Sequence, residues 1–432
     1  MKDLVNRLDA LSRREFAQYL AKSFLGVGVG IPVLNSLALA SEESPVIPVS
    51  GSAKRVIYLY MSGGMSHLDT LDPKDDEEVR GPVESIETNV DGIRVSQHMG
   101  RLAKQMDKVA LVRSLSSNQG AHERGRYFMR TGYTQRGTIR HPSTGAWSMK
   151  LAGKLNRTLP GYVTIGGDSR HPGAGFMEAK FAPLPIGDPE AGLQNSRLPK
   201  GLSMGKMQRR LQLANRLDTV FKARYDQRSV RAYSDAYRDA ISLMTSQDLQ
   251  AFDISREAEA TRKAYGDSSF GQGCLLARRL VEKDVRYVEV SSGGWDTHQN
   301  NFDRVRDKAR ELDQALGTLL ADLDRRGLLN ETLVVVATEF GRTPKINQNT
   351  GRDHYPKAFS GLLAGGGVRG GYVHGATNEQ GTEVSENRVT VPDFNATIAA
   401  ALGLPQDKVI NSESGRPFTV AHKGKPITEV FA

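Results

Sequence analysis

Residues 271–298 read GQGCLLARRLVEKDVRYVEVSSGGWDTH. The first half is apolar at helical spacing. The second is a run of β-formers that ends in a glycine turn, so the segment reads as helix 271–283 followed by strand 285–290. Working outward, the same alternation continues. Helix 302–326 precedes strand 332–338, a further strand covers about 359–364, and a helix covers about 393–402. Upstream, residues 55–61 are rich in β-formers and run straight into Ser62-Gly63-Gly64. Strands are also expected at 109–114 and 162–165. A helix is expected from His122 to a glycine stop at Gly132. Strands alternating with helices at this spacing predict an α/β fold: a mainly parallel central sheet with helices on both faces. Such sheets gather ligands at the carboxyl ends of their strands.

The chain has 432 residues, 38% hydrophobic and 25% charged, which is enough to bury a core and excludes a disordered chain. Its 44 glycines follow no Gly-X-Y period. The one cysteine, Cys274, excludes an internal disulfide framework and a Cys-rich zinc module, and its apolar helical neighbours place it in the core. A dinucleotide fingerprint, a Walker A sequence and a GxSxG elbow are all missing. The formal charge of +9 suits anionic ligands, and no nucleic-acid-binding motif accompanies it.

Residues 1–40 carry Arg13-Arg14, an interrupted apolar stretch from Phe24 to Leu39, and a small-x-small pattern at Ala38-Leu39-Ala40. That order is a twin-arginine signal peptide, so export to the periplasm through the twin-arginine machinery is expected. No later stretch reaches about 18 apolar residues, so no membrane span is expected after processing. Residues 41–53 read as a linker and 54–432 as one domain, with a helical insertion at about 205–262.

Three strand ends carry polar clusters: Gly63-Gly64-Met65-Ser66-His67-Leu68-Asp69, Gly293-Gly294-Trp295-Asp296-Thr297-His298, and Thr338-Glu339-Phe340-Gly341-Arg342. Gly351-Arg352-Asp353-His354 follows shortly after the third. If those strands are neighbours, Asp296, His298, Glu339 and His354 come within reach of one divalent cation, with His67 and Asp69 completing the set. Carboxylates and imidazoles suit Zn²⁺, Mn²⁺, Mg²⁺ or Ca²⁺. Arg342 offers a planar fork to a phosphate or sulfate. His122, at a helix N-terminus, is a nucleophile, a ligand or a proton donor. Taken singly, each of these residues has a plainer use as a turn, cap or surface group.

Together the twin-arginine start and these four motifs resemble the bacterial domain-of-unknown-function family 1501, over nearly all of the mature chain. That family is placed near the alkaline phosphatase and sulfatase superfamily. The resemblance implies a metal crevice at the strand ends and hydrolysis of phosphate or sulfate esters, whether small anions or sulfated or phosphorylated polymers. It also implies that Asp296, His298 and His354 are metal ligands. Phe340 stands where the superfamily places a histidine and Gly63 where it places an aspartate, and no clear nucleophile is present. The alternative is a non-catalytic periplasmic binding or assembly protein on the same fold.

Overall fold

The computed structural model describes residues 52–167, 170–194, 205–206, 209, 242–244 and 246–431. The signal peptide, nearly all of the linker and most of the helical insertion expected at 205–262 lie outside the described residues.

Among the described residues nine strands form the central sheet: β1 (Arg55–Met61), β2 (Val109–Ser116), β3 (Tyr162–Ile165), β4 (Leu184–Ile186), β5 (Tyr287–Ser292), β6 (Thr332–Ala337), β7 (Phe359–Ala364), β8 (Tyr372–His374) and β9 (Val389–Thr390). Their order is β8-β2-β7-β6-β1-β5-β3-β4, and β9 pairs with β2. Every pairing is parallel except the two made by β7, which runs against β2 and β6. The main helices are α1 (His122–Thr131), α2 (Thr144–Ala152), α3 (Ser269–Glu282), α4 (Asn301–Arg325) and α5 (Val391–Ala401).

Strand β1 is the spine, and all seven of its residues are buried. Side chains alternate across a strand, so β1 feeds two cores. Ile57, Leu59 and Met61 pack with α3 and α4 through Cys274, Leu276, Val305, Leu312 and Leu316. Val56, Tyr58 and Tyr60 pack with α1, α2 and α5 through Met129, Trp147, Phe394 and Ile398. Helices therefore cover both faces, as the alternation predicts. Among the described residues no helix is long and apolar enough to cross a membrane.

Several boundaries shift from expectation by one or two residues, two of them for clear local reasons. The strand expected at 285–290 begins at Tyr287, because the chain must first turn out of α3 at Asp284, which adopts φ +61°. The strand expected at 109–114 runs on to Ser116, because Leu115 and Ser116 gain a partner in β9.

Candidate metal centre

The parallel register fixes where the polar turns meet. Met61 stands beside Ser292, and Tyr60 stands beside Ala337, so β1, β5 and β6 end at one rim. The turn after β1 then lies against the turn after β5. Gly63 has φ +122°, and a Cβ there would sit 2.5 Å from the Asp296 amide nitrogen. No other residue type fits that approach. His354 arrives on a two-residue ribbon paired with Gly341–Arg342. A Cβ on Gly351 would collide with the His298 carbonyl, so glycine there lets the His354 loop lie against the β5 turn.

At this rim His122, Asp296 and His354 have ligand atoms mutually within 4.8 Å. His298 joins them through two contacts. Its Nε2 is 3.0 Å from Nε2 of His354 and 3.1 Å from Oδ1 of Asp296. Nε2 of His354 is 3.4 Å from the same Oδ1, and Nε2 of His122 is 3.3 Å from Oδ2.

The other ring nitrogens settle the tautomers. Nδ1 of His122 is 2.8 Å from Oε1 of Glu339, Nδ1 of His298 is 2.7 Å from Oδ1 of Asp353, and Nδ1 of His354 is 2.8 Å from the Gly120 carbonyl. All three partners are acceptors, so each Nδ1 carries a proton and donates it. In the neutral rings each Nε2 then presents a lone pair. Two lone pairs facing each other at 3.0 Å repel unless positive charge lies between them. Nε2 of His122 is buried and makes no hydrogen bond.

This donor set fits a metal ion. Three imidazole nitrogens and a carboxylate suit a borderline cation such as Zn²⁺, and metal-bound histidines characteristically donate their second nitrogen to a carboxylate or carbonyl. Donors about 2.0–2.1 Å from a tetrahedral ion stand roughly 3.3–3.4 Å apart. The four printed separations, 3.0 to 3.4 Å, lie at or slightly below that value, while His122, Asp296 and His354 as a group lie within 4.8 Å of one another.

Charge around the cluster is arranged to keep the acids ionised. Burial would raise the Asp296 carboxyl, but the hydrogen bond and charge of Arg342, helped by His122 and His298, lower it to about 2. Burial also opposes ionisation of Glu339, yet hydrogen bonds from His122 and Tyr60 hold it below its ordinary value. Oε1 of Glu339 also accepts the Gly63 amide at 2.9 Å, and Oε2 accepts the Tyr60 hydroxyl at 2.8 Å. The Phe340 ring lies 5.0 Å from His122 and 4.6 Å from His354, an apolar wall on one side of the cluster.

Asp296, His298, His354 and His122 come together at the rim. Glu339 stands behind His122, with both oxygens occupied by hydrogen bonds. His67 and Asp69 are directed elsewhere. Both are fully buried; Nε2 of His67 faces the Gly381 carbonyl at 3.1 Å. Asp69 pairs with Arg352 at 2.9 and 3.1 Å and accepts from Asn301 at 2.9 Å. Asp69 thus ties the β1 turn to the His354 loop and to the start of α4.

Arg342 does not face a ligand. It is fully buried and donates to Asp296 at 2.6 Å, to the Gly64 carbonyl at 2.9 Å, to the Arg352 carbonyl at 3.0 Å and to the Gly63 carbonyl. Its fork holds the chain's own oxygens rather than a substrate's. Three partners were not singled out from the sequence. The signal that could have found Asp353 is its place next to His354, and for Tyr60 its place near the end of a strand. The Gly120 carbonyl has no sequence signal at all.

No curated protein matches the sequence. Several solved structures resemble the fold distantly. A sulfatase, PsFucS1, from Pseudoalteromonas sp. is 14% identical with a TM-score of 0.40, covering 88% of this chain and 72% of that one. A protein in the alkaline phosphatase superfamily from Vibrio parahaemolyticus is 10% identical with a TM-score of 0.41, covering 88% and 71%. The alkaline phosphatase from the Antarctic bacterium TAB5 is 14% identical with a TM-score of 0.35, covering 73% and 92%. The sequence itself matches a family over residues 53–431, all but the N-terminal segment and the last residue. The chain belongs to the family described as protein of unknown function (DUF1501).

Proposed function

We propose that the chain is an exported, metal-dependent hydrolase of a phosphate or sulfate ester. One observation carries the reading: three imidazoles with Nδ1 engaged turn their Nε2 lone pairs onto one carboxylate. His122, Asp296, His298 and His354 would hold a divalent cation. Such an ion supplies Lewis acidity, offsetting the charge that develops on an ester's oxygens.

The chain's own groups have separate tasks. Glu339, Asp353 and the Gly120 carbonyl keep the rings in the ligating tautomer. Arg342 keeps Asp296 ionised and in place. His122 is the first residue of α1, whose cap Ala121 makes no side-chain hydrogen bond. The opening amides of that ten-residue helix are therefore available to an anion beside the cation. The net reaction adds water across the ester bond and releases an alcohol and the free oxyanion. Export rests on Arg13-Arg14 and the segment that follows.

The test is a panel of phosphate, phosphonate and sulfate esters, small and polymeric, assayed with Zn²⁺, Mn²⁺, Mg²⁺ and Ca²⁺. Turnover that a chelator removes and His354→Ala abolishes is expected. Bound metal without turnover on any ester would favour a non-catalytic binding protein. Turnover indifferent to both treatments would contradict the proposal.

A further inference from the structure

We infer that a cleft beside α4 binds the oxyanion of a sulfate or phosphate ester, at a site apart from the imidazole rim. The cleft holds about 580 Å³, within the range that small ligands occupy. Three segments line it: residues 86–89, residues 97–104, and Arg310 with Asp313 on α4. Arg310 lies nine residues along α4 from Asn301, which is tied to Thr297 and Asp69 near the rim. That is an axial distance of about 14 Å.

Cations in the cleft lack counter-charges. Arg101, Lys104 and Arg310 are exposed, and none makes an ion pair among the described residues. The Arg101 guanidinium reaches only the Thr318 hydroxyl, at 3.4 Å. The lining acids are engaged elsewhere. Asp313 is buried and accepts the Arg101 amide at 2.9 and 3.0 Å and the Leu102 amide at 2.8 Å. Glu87 pairs with Arg94 at 3.2 Å. Asp313 therefore pins the segment that carries Arg101 and Lys104 onto α4 through its backbone. A Cβ on Gly317 would sit 2.7 Å from the Arg101 Cβ, so glycine there allows the close approach.

His98 registers the same imbalance. Its ring makes no hydrogen bond among the described residues. Burial, then the charges of Arg310 and Arg306, lower its pKa against the smaller opposing pulls of Asp69 and Asp307. Like charges gathered without a partner repel, and an anion among them relieves the repulsion. Two guanidinium forks and an ammonium match the oxygens of a sulfate or phosphate. The Gln97 amide, also without a partner among the described residues, is left to meet a neutral oxygen of the ester's alcohol.

The experiment titrates full-length protein, freed of metal by a chelator, with glucose 6-sulfate and glucose 6-phosphate, and separately with inorganic sulfate and phosphate. Calorimetry is expected to show saturable binding of one sugar ester per chain, tighter than the inorganic anion. Arg310→Gln and Lys104→Gln alter exposed side chains, and circular dichroism checks their folding. Each is expected to weaken binding about tenfold, the loss of a charge-assisted contact. His354→Ala, at the rim, is expected to leave it unchanged. The His98 ring signals should shift in nuclear magnetic resonance spectra as the ester is added. No saturable binding overturns the inference, as does binding that both cleft variants leave intact or that His354→Ala removes. Equal affinity for the ester and the inorganic anion would contradict an ester as the ligand. None of these outcomes depends on whether the rim holds a metal.

Discussion

Asp69→Ala separates scaffold from ligand. In the folded chain Asp69 and Arg352 are both without solvent exposure, joined by N–H···O contacts of 2.9 and 3.1 Å, and Asp69 also accepts from Asn301 at 2.9 Å. Removing the carboxylate leaves a guanidinium buried without its counter-charge. Breaking one side of a buried pair costs about 3–5 kcal/mol. Arg352 keeps three carbonyl acceptors, at Val79, Thr343 and Pro344, so the lower part of that range applies. Urea unfolding followed by fluorescence and circular dichroism measures the loss. Adding Arg352→Met to Asp69→Ala should restore a large part of it, because an apolar side chain no longer needs a partner. Metal content per folded chain should survive Asp69→Ala. A loss below about 1 kcal/mol, outside the range expected for breaking a buried pair, would refute the buried-pair reasoning. So would intact stability with the metal gone, which would make Asp69 a ligand.

Glu339→Gln should weaken metal affinity about 10–100-fold, because the group behind His122 loses its charge; competition with a chromophoric chelator reads this, and unchanged affinity would count against the His122 orientation. Gly63→Ala forces a side chain into φ +122° and against the Asp296 amide, at a strain cost of about 1–3 kcal/mol; a lowered melting temperature together with lost metal is expected, and an unaffected protein is not. Acid should act at a second buried cluster. Burial would raise Glu289, but the charge of Arg130 and then His171 lower it to about 2. A depressed carboxylate stabilises the fold fully above its unfolded value, near 4.5, and that contribution, about 3 kcal/mol at most, is lost as pH falls from there through about 2. Unfolding free energies of wild type and Glu289→Gln between pH 5 and 3 should show the wild type losing stability more steeply; parallel curves would contradict this.

The sheet was legible because its strands are uniform apolar runs that end in glycine turns. Residues 55–61, 162–165 and 359–364 were delimited as the structure has them. So was α1, which stops where Gly132 takes φ +73° and returns its amide to the Phe128 carbonyl. Strand polarity was not legible. Nothing in the composition of 359–364 says that it runs against its neighbours; the chain simply reverses after the ribbon that carries His354. Within the site, Asp296, His298 and His354 stood out because acids and imidazoles recur at the carboxyl ends of consecutive strands. The fate of Arg342 and Asp69 was hidden for one reason. A charge in a turn can face solvent, a ligand or a buried counter-charge, and only the tertiary contacts of Gly63, Gly64 and Arg352 decide among these. Glu339 was read as a ligand because carboxylates ligate directly. Its burial beneath His122 gives it the neighbouring role of fixing the ring.

Zinc-edge anomalous diffraction from crystals of protein loaded with Zn²⁺ reads the centre directly. One strong peak is expected, about 2.0–2.2 Å from Nε2 of His122, His298 and His354 and from a carboxylate oxygen of Asp296. A map with no peak among these four side chains, or with the zinc bound elsewhere, would contradict a metal centre at this rim of the sheet.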